Sequence, residues 1–200
     1  MSKLRLIVPL MMLTFFAAKS FAGVLLEPYV GYVYGTLDIT ASNTKLEYKD
    51  TGPVFGGRIG YIFSGAMIGA EYSRSILTTS LEKPAAQAAT TADDDSIVSN
   101  MSAFVGFKLP ALFRFWVSYI FDSKYEDDKN PGLGDEFLGS GYKLGVGISP
   151  LPLLSINLEY KALAYDEFTD AASGTTTTLS GDNELKSKQI VLSVSLPFEL

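Results

Sequence analysis

Arg58, Glu71, Lys143 and Glu159 are the residues of this chain whose type and spacing point most directly to chemistry. Each lies mid-way along a stretch in which apolar side chains fall on every second position, and each takes the polar side of that alternation. "GGRIGYIFSGAMIGAEY" holds two such stretches around Ser64-Gly65. Read as a two-residue hairpin loop, that dipeptide sets Phe63 opposite Ala66 and, counting back, Arg58 opposite Glu71. A three-residue loop at Pro150–Pro152 sets Ser149 opposite Leu153 and Lys143 opposite Glu159. Two hairpins thus each bring a cation to an anion on one side of a sheet. Such pairs can pack an interior, or they can line and gate a narrow pore.

Other chemistry is thinner. The chain has no histidine and no cysteine. Triads and dyads built on imidazole, most zinc sites, disulfides and a lipoprotein-type lipid anchor are therefore excluded. Two carboxylates can still serve as acid and base, but nothing singles out such a pair, and the chain reads as a non-enzyme. Acidic runs at Asp93-Asp94-Asp95, Glu126-Asp127-Asp128 and Asp166-Glu167 can hold divalent cations against lipid phosphates or form plain solvated loop surface. They lack calcium-loop spacing, so neither a metal nor another cofactor is expected.

The elements that must position these charges are strands. Period-two alternation predicts eight of them: Leu25–Asp38, Pro53–Phe63, Ala66–Ser75, Ile97–Lys108, Phe113–Lys124, Leu138–Ser149, Leu153–Tyr165 and Lys186–Leu200. Short connections at Ser64-Gly65, Leu109–Leu112 and Pro150–Pro152 alternate with long polar ones at Ile39–Gly52, Ile76–Ser96, Tyr125–Phe137 and Asp166–Leu185. One face of the strands is nearly continuous hydrocarbon, for example Phe113, Phe115, Val117, Tyr119 and Phe121. The other is polar, charged and rich in glycine. A lipid-facing charge at mid-bilayer costs about 2–4 kcal/mol. Arg58, Glu71, Lys143 and Glu159 must then face a lumen, and the hydrocarbon face must meet lipid. Aromatic residues gather toward both strand ends, as interfacial girdles do. The fold class expected is all-β: an eight-stranded antiparallel up-and-down transmembrane β-barrel after a cleaved signal peptide. Eight-stranded interiors are filled by side chains, so the ion pairs are read first as a plug and second as a gate.

The two ends of the chain carry their own signals. Lys3 and Arg5, the apolar run from Leu6 to Ala18, and Ser20 and Ala22 before Gly23 read as a signal peptide over residues 1–22, leaving a barrel domain over 23–200. Removing residues 1–22 takes away three cations and no acid, moving the net charge from −6 to −9. A nucleic-acid partner is not expected. The last residues, "IVLSVSLPFEL", alternate up to the carboxylate. This strand must pair with the first, because an open edge in lipid leaves backbone groups unsatisfied.

"LEPYVGYVYG", "GGRIGYIFSGAMIGAEYS" and the alternating carboxyl-terminal strand together resemble the small eight-stranded outer-membrane barrels of the OmpX and OmpA-transmembrane-domain type. The likeness covers nearly the whole mature chain. It implies the outer membrane of a Gram-negative bacterium, periplasmic termini, and contact with lipid, lipopolysaccharide and the barrel-assembly machinery. Phe198 and Leu200 are then the assembly signal, although that family usually ends on phenylalanine. The function implied is non-enzymatic: surface structure or cell-surface contacts through acidic extracellular loops. The alternatives are a narrow porin-like channel and a lipid-modifying enzyme.

Overall fold

A computed structural model describes residues 22–41, 44–83, 94–109, 112–127, 135–151, 153–170, 173–179 and 184–200. The expected leader lies outside them except for Ala22, and so do Asp93 and Asp128 of the acidic runs and Pro152 of the third short turn.

The described residues form ten strands: β1 (Ala22–Ala41), β2 (Thr44–Phe63), β3 (Ala66–Lys83), β4 (Asp94–Lys108), β5 (Phe113–Asp127), β6 (Glu136–Leu151), β7 (Leu154–Asp170), β8 (Thr175–Thr178), β9 (Glu184–Ser195) and β10 (Phe198–Glu199). Consecutive strands from β1 to β7 pair antiparallel, and β9 pairs with both β7 and β1, closing a ring of eight. β8 is a short flap on β7. β10 continues β9 past Leu196-Pro197 in unchanged register, since Tyr29 faces Ser195 and Leu26 faces Phe198. Proline removes one ladder donor there without shifting the pairing. The seam ends with Val24 and Leu200 exchanging backbone hydrogen bonds of 2.9 and 3.0 Å. The eight-stranded antiparallel barrel expected from alternation is the fold observed.

The first short turn is the hairpin expected. Ser64 and Gly65 take φ of 50° and 86°, and Phe63 faces Ala66. Positive φ at both central residues gives the twist that matches the flanking strands. The third short turn differs. Leu151 faces Leu154, the register slips between Ile148 and Leu151, and Ile148 faces Ile156. Lys143 therefore stands opposite Lys161, not Glu159, which faces Gly145.

The long connections also differ from expectation. β1 and β2 stay paired as far as Ala41 and Thr44, and β3 and β4 as far as Thr79 and Asp94. Much of what alternation assigned to loops is strand. The pattern inverts its phase at the rim of the apolar belt. On β1, Val24, Leu26, Val30, Tyr32 and Tyr34 are exposed, while beyond Tyr34 the apolar Leu37 turns inward and Thr36 and Asp38 turn out. β3, β7 and β9 switch in the same way at Leu77, Leu163 and Leu185, all buried. Above the belt the barrel meets water and is built like a soluble one, with its apolar residues inside. A bulge at Phe121–Asp122 resets β5, leaving both residues exposed and burying Ser123.

Candidate functional site: a filled lumen

The barrel interior is stacked in layers. Nearest the short turns, Leu25, Ile62, Met67, Phe104 and Trp116 form an apolar floor. Above it lies a charged layer supplied by six strands. Arg58 from β2 is its centre. Its Nε donates to Glu71 Oε2 at 2.9 Å, its Nη1 to Glu27 Oε1 at 3.0 Å and its Nη2 to Glu159 Oε1 at 2.5 Å. The guanidinium carbon lies 4.5 Å from the Trp116 ring centre and 4.9 Å from that of Tyr29, so two π-systems that favour a cation lie against it. Tyr29 donates to Glu71 at 2.6 Å and Trp116 Nε1 to Glu159 at 3.1 Å. Lys143 bonds to Glu71 and reaches Glu159 at 3.2 Å.

The four charges expected to face the lumen do so and share one network. Arg58 and Glu71 face each other in register. Lys143 and Glu159 meet diagonally, because Glu159 faces Gly145, two residues from the position assigned to it. Sequence reasoning missed Glu27 and Arg114 as members. Arg114 Nη1 donates to Glu27 Oε2 at 2.7 Å, and Nη2 bonds Glu27 Oε1 and reaches Asn157 Oδ1 at 2.7 Å. The signal that finds Arg58, a charge on the inward parity of a membrane strand, finds these two as well. Gly145 is a further member of a different kind. A Cβ there would come within 2.1 Å of the Trp116 ring, so only glycine lets that indole lie across the lumen.

Lys161 is the exception in this layer. Its Nζ is buried without a hydrogen-bond partner among the described residues, beside Lys143 on one side and Gln189 on the other. Four cations (Arg58, Arg114, Lys143 and Lys161) share the layer with three carboxylates (Glu27, Glu71 and Glu159). All three carboxylates are engaged by cations and closed off from solvent, so none is presented to a substrate.

A second apolar layer closes the lumen above the charges. Val33, Leu37, Val54, Leu77, Val98, Ile120, Leu163, Leu185 and Val191 are buried against one another, with Tyr29, Tyr125 and Tyr165 at their edges. A small polar cluster follows at the loop end. Thr79 donates to Asp50 Oδ1 at 2.8 Å and lies 3.0 Å from the Tyr125 hydroxyl, which bonds Ser96 at 2.8 Å. Asp50 Oδ2 is buried with no partner among the described residues. Desolvation pushes the Asp50 carboxyl up to about 6, against the opposing effect of its Thr79 bond. Of the acidic runs, Glu126 is bound by Lys124 at 2.9 Å, and Lys124 also reaches Glu136 at 2.7 Å. Asp166 and Glu167 lie within β7.

The architecture is that of a known family. The family model described as outer membrane protein beta-barrel domain matches residues 8–198. The chain belongs to this family. Among solved structures, this outer-membrane barrel is similar to Neisserial surface protein A, at 14% identity and a TM-score of 0.55, covering 89% of this chain and 99% of the other. It is also similar to Ail, the attachment invasion locus protein of Yersinia pestis, solved with the heparin analogue sucrose octasulfate. That match has 12% identity and a TM-score of 0.53, covering 88% and 99% of the two chains. A third match is the outer membrane protease OmpT from Escherichia coli, at 9% identity and a TM-score of 0.43, covering 89% and 97%. No curated protein matches the sequence significantly. Likeness at these identities concerns the fold, and one fold carries many activities. The protein is a Gram-negative outer-membrane β-barrel.

Proposed function

We propose that this barrel is a sealed, non-enzymatic surface protein. It sits with both termini in the periplasm and the long-strand end outside, and that end serves surface structure or contacts with other surfaces. The observation that carries the reading is the lumen. An apolar floor, a charged layer and an apolar cap fill it in succession, and the strands continue beyond the belt as a rigid collar with outward polar residues. Neisserial surface protein A and Ail, similar in fold, are by description a surface protein and an attachment protein, and support the same reading. Lipid and lipopolysaccharide are its surroundings, and the barrel-assembly machinery is its route there, with Phe198 and Leu200 on the strand that closes the seam.

Conductance decides between this and a channel. Protein inserted into planar bilayers in molar KCl is expected to leave the membrane at its baseline. Stepwise, reproducible conductance from folded protein overturns the sealed reading in favour of a narrow pore. Orientation is tested separately: a tag inserted at Ser173, in the turn between β7 and β8, is expected to label on intact cells.

A further inference from the structure

Three reactive groups meet on one stretch of the lumen wall, each with an atom that the ion network leaves unused. Lys161 on β7 faces Gln189 on β9 in register, and both side chains are 1% exposed on the inward face. Glu159 precedes Lys161 by two residues on the same face of β7, so it is the neighbour of Lys161 along the strand. Lys161 Nζ, Gln189 Oε1 and Glu159 Oε2 are each buried without a hydrogen-bond partner among the described residues. The amide of Gln189 is oriented, since its Nε2 donates to Ser187 Oγ at 3.2 Å. Its stem is seated against Gly35, which faces it and where a Cβ would come within 2.8 Å of Gln189 Cγ.

An amine, a carboxamide and a carboxylate held together away from water are the components of an amide exchange. A lysine acts as a nucleophile where it is desolvated or lies beside a second cation, and Lys143 stands directly opposite Lys161. Reactants fixed on paired strands have already lost the freedom that a reaction between separate molecules must give up. We propose that the folded barrel joins Lys161 to Gln189 by an isopeptide bond, with Glu159 carrying the protons. One proton of the Lys161 ammonium passes to Glu159 Oε2 and frees the lone pair. The nitrogen attacks Cδ of Gln189, a second proton moves from it to Nε2, and the bond from Cδ to Nε2 breaks. Ammonia leaves and takes the proton held by Glu159, as ammonium. One C–N bond replaces another, and nothing is oxidised or reduced. The charge balance of the layer favours the product. Four cations there accompany three carboxylates, and the amide removes the charge of Lys161. The link also fixes β9, the strand that closes the ring on β1, to its other neighbour β7.

In the unfolded chain the lysine is hydrated and far from the glutamine, so a chain held in urea or freshly refolded from it is the unlinked reference. The test is the mass of the intact chain under denaturing conditions. Barrel extracted from outer membranes is expected to be lighter by one ammonia than its sequence requires, and the same chain purified in urea from inclusion bodies is expected to have the full mass. Protease digestion of the extracted barrel is expected to give a peptide joining the segments of Lys161 and Gln189, which separates the link from ammonia lost at an asparagine. Lys161→Met and Gln189→Met, each checked for the mobility shift of a folded barrel on unboiled gels, are expected to keep the full mass. Refolded wild type is expected to lose ammonia with time, and the folded fraction of Glu159→Gln to lose it more slowly. Full mass in the extracted wild-type barrel, or an ammonia loss that survives in either methionine variant, overturns the link. Equal rates in wild type and Glu159→Gln overturn the part given to Glu159.

Discussion

Lys143 stands directly opposite Lys161 across β6 and β7, and only Lys143 has carboxylates within bonding distance. Like charges directly across a ladder oppose pairing. Burying a charge without a partner is costly in itself. Lys161 is therefore a residue the fold carries at a loss. Lys161→Met keeps the length of the stem and removes the charge. It is expected to raise the free energy of unfolding by about 1–3 kcal/mol, the range for relieving an unsatisfied buried polar group. Urea titrations of the barrel refolded into lipid vesicles measure this, and a loss of stability would show that Lys161 has a partner in the membrane that the side-chain geometry does not supply.

The Arg58–Glu71 pair behaves differently because its members are shared. Removing Arg58 leaves Glu27, Glu71 and Glu159 short of one cation, and removing Glu71 leaves Lys143 with Glu159 alone. Each single change, Arg58→Met or Glu71→Leu, is expected to cost about 3–5 kcal/mol, as breaking a buried pair does. The double variant keeps Arg114 with Glu27 and Lys143 with Glu159, so each remaining carboxylate keeps a bonded cation. Its cost is expected to fall well below the sum of the singles. Unfolding free energies of the three variants in vesicles give the coupling. Additive costs below about 1 kcal/mol each would mark a water-filled interior, where ion pairs are weak.

These residues also show where the sequence was legible. Arg58 opposite Glu71 followed from a two-residue turn with one possible register. Lys143 opposite Glu159 did not follow, because the turn after β6 carries a slip that neither Pro150 nor Pro152 announces. The belt was legible because its outward face is hydrocarbon from Val24 to Tyr34. The collar was not, because at Thr36 the outside becomes water and the apolar residues change sides. Leu37, Leu77, Leu163 and Leu185, read as belonging to loops or strand ends, are the cap of the lumen. A period-two reading that keeps one phase from end to end loses the strand at the point where its solvent changes.

The carboxyl-terminal seam separates pairing from signalling. Phe198 faces Leu26, and Leu200 exchanges two backbone hydrogen bonds with Val24. Deleting residues 198–200 exposes that edge of β1 to lipid, where unsatisfied backbone groups cost several kcal/mol each. The deletion is expected to slow refolding into pure lipid vesicles, with no assembly factor present, and to lower assembly in cells. Leu200→Phe is expected to leave both unchanged. If the deletion impairs assembly in cells and not in vesicles, the tail acts through recognition alone and the seam adds little.

Asp50 gives the collar a dependence on pH. It lies above the belt, buried, with one carboxylate oxygen bonded by Thr79 and the other without a partner among the described residues. Burial raises its carboxyl from the ordinary 3.8 to about 6. The folded protein thus holds this proton more tightly than the unfolded chain does. Below about pH 4 both states are protonated and Asp50 contributes no penalty. As pH rises from about 4 to 6 the unfolded chain ionises first, and stability falls. Above about pH 6 the full penalty is present, at most about 3 kcal/mol for a shift of this size. Asp50→Asn can keep the Thr79 bond and cannot ionise. It is expected to abolish that part of the pH dependence and to leave the barrel more stable than wild type at pH 7. Urea midpoints at several pH values between 4 and 7, for both proteins, measure it. A wild-type midpoint that rises with pH across this window, or one that Asp50→Asn leaves unaltered, would show that water reaches the second oxygen and that the collar is open at this level.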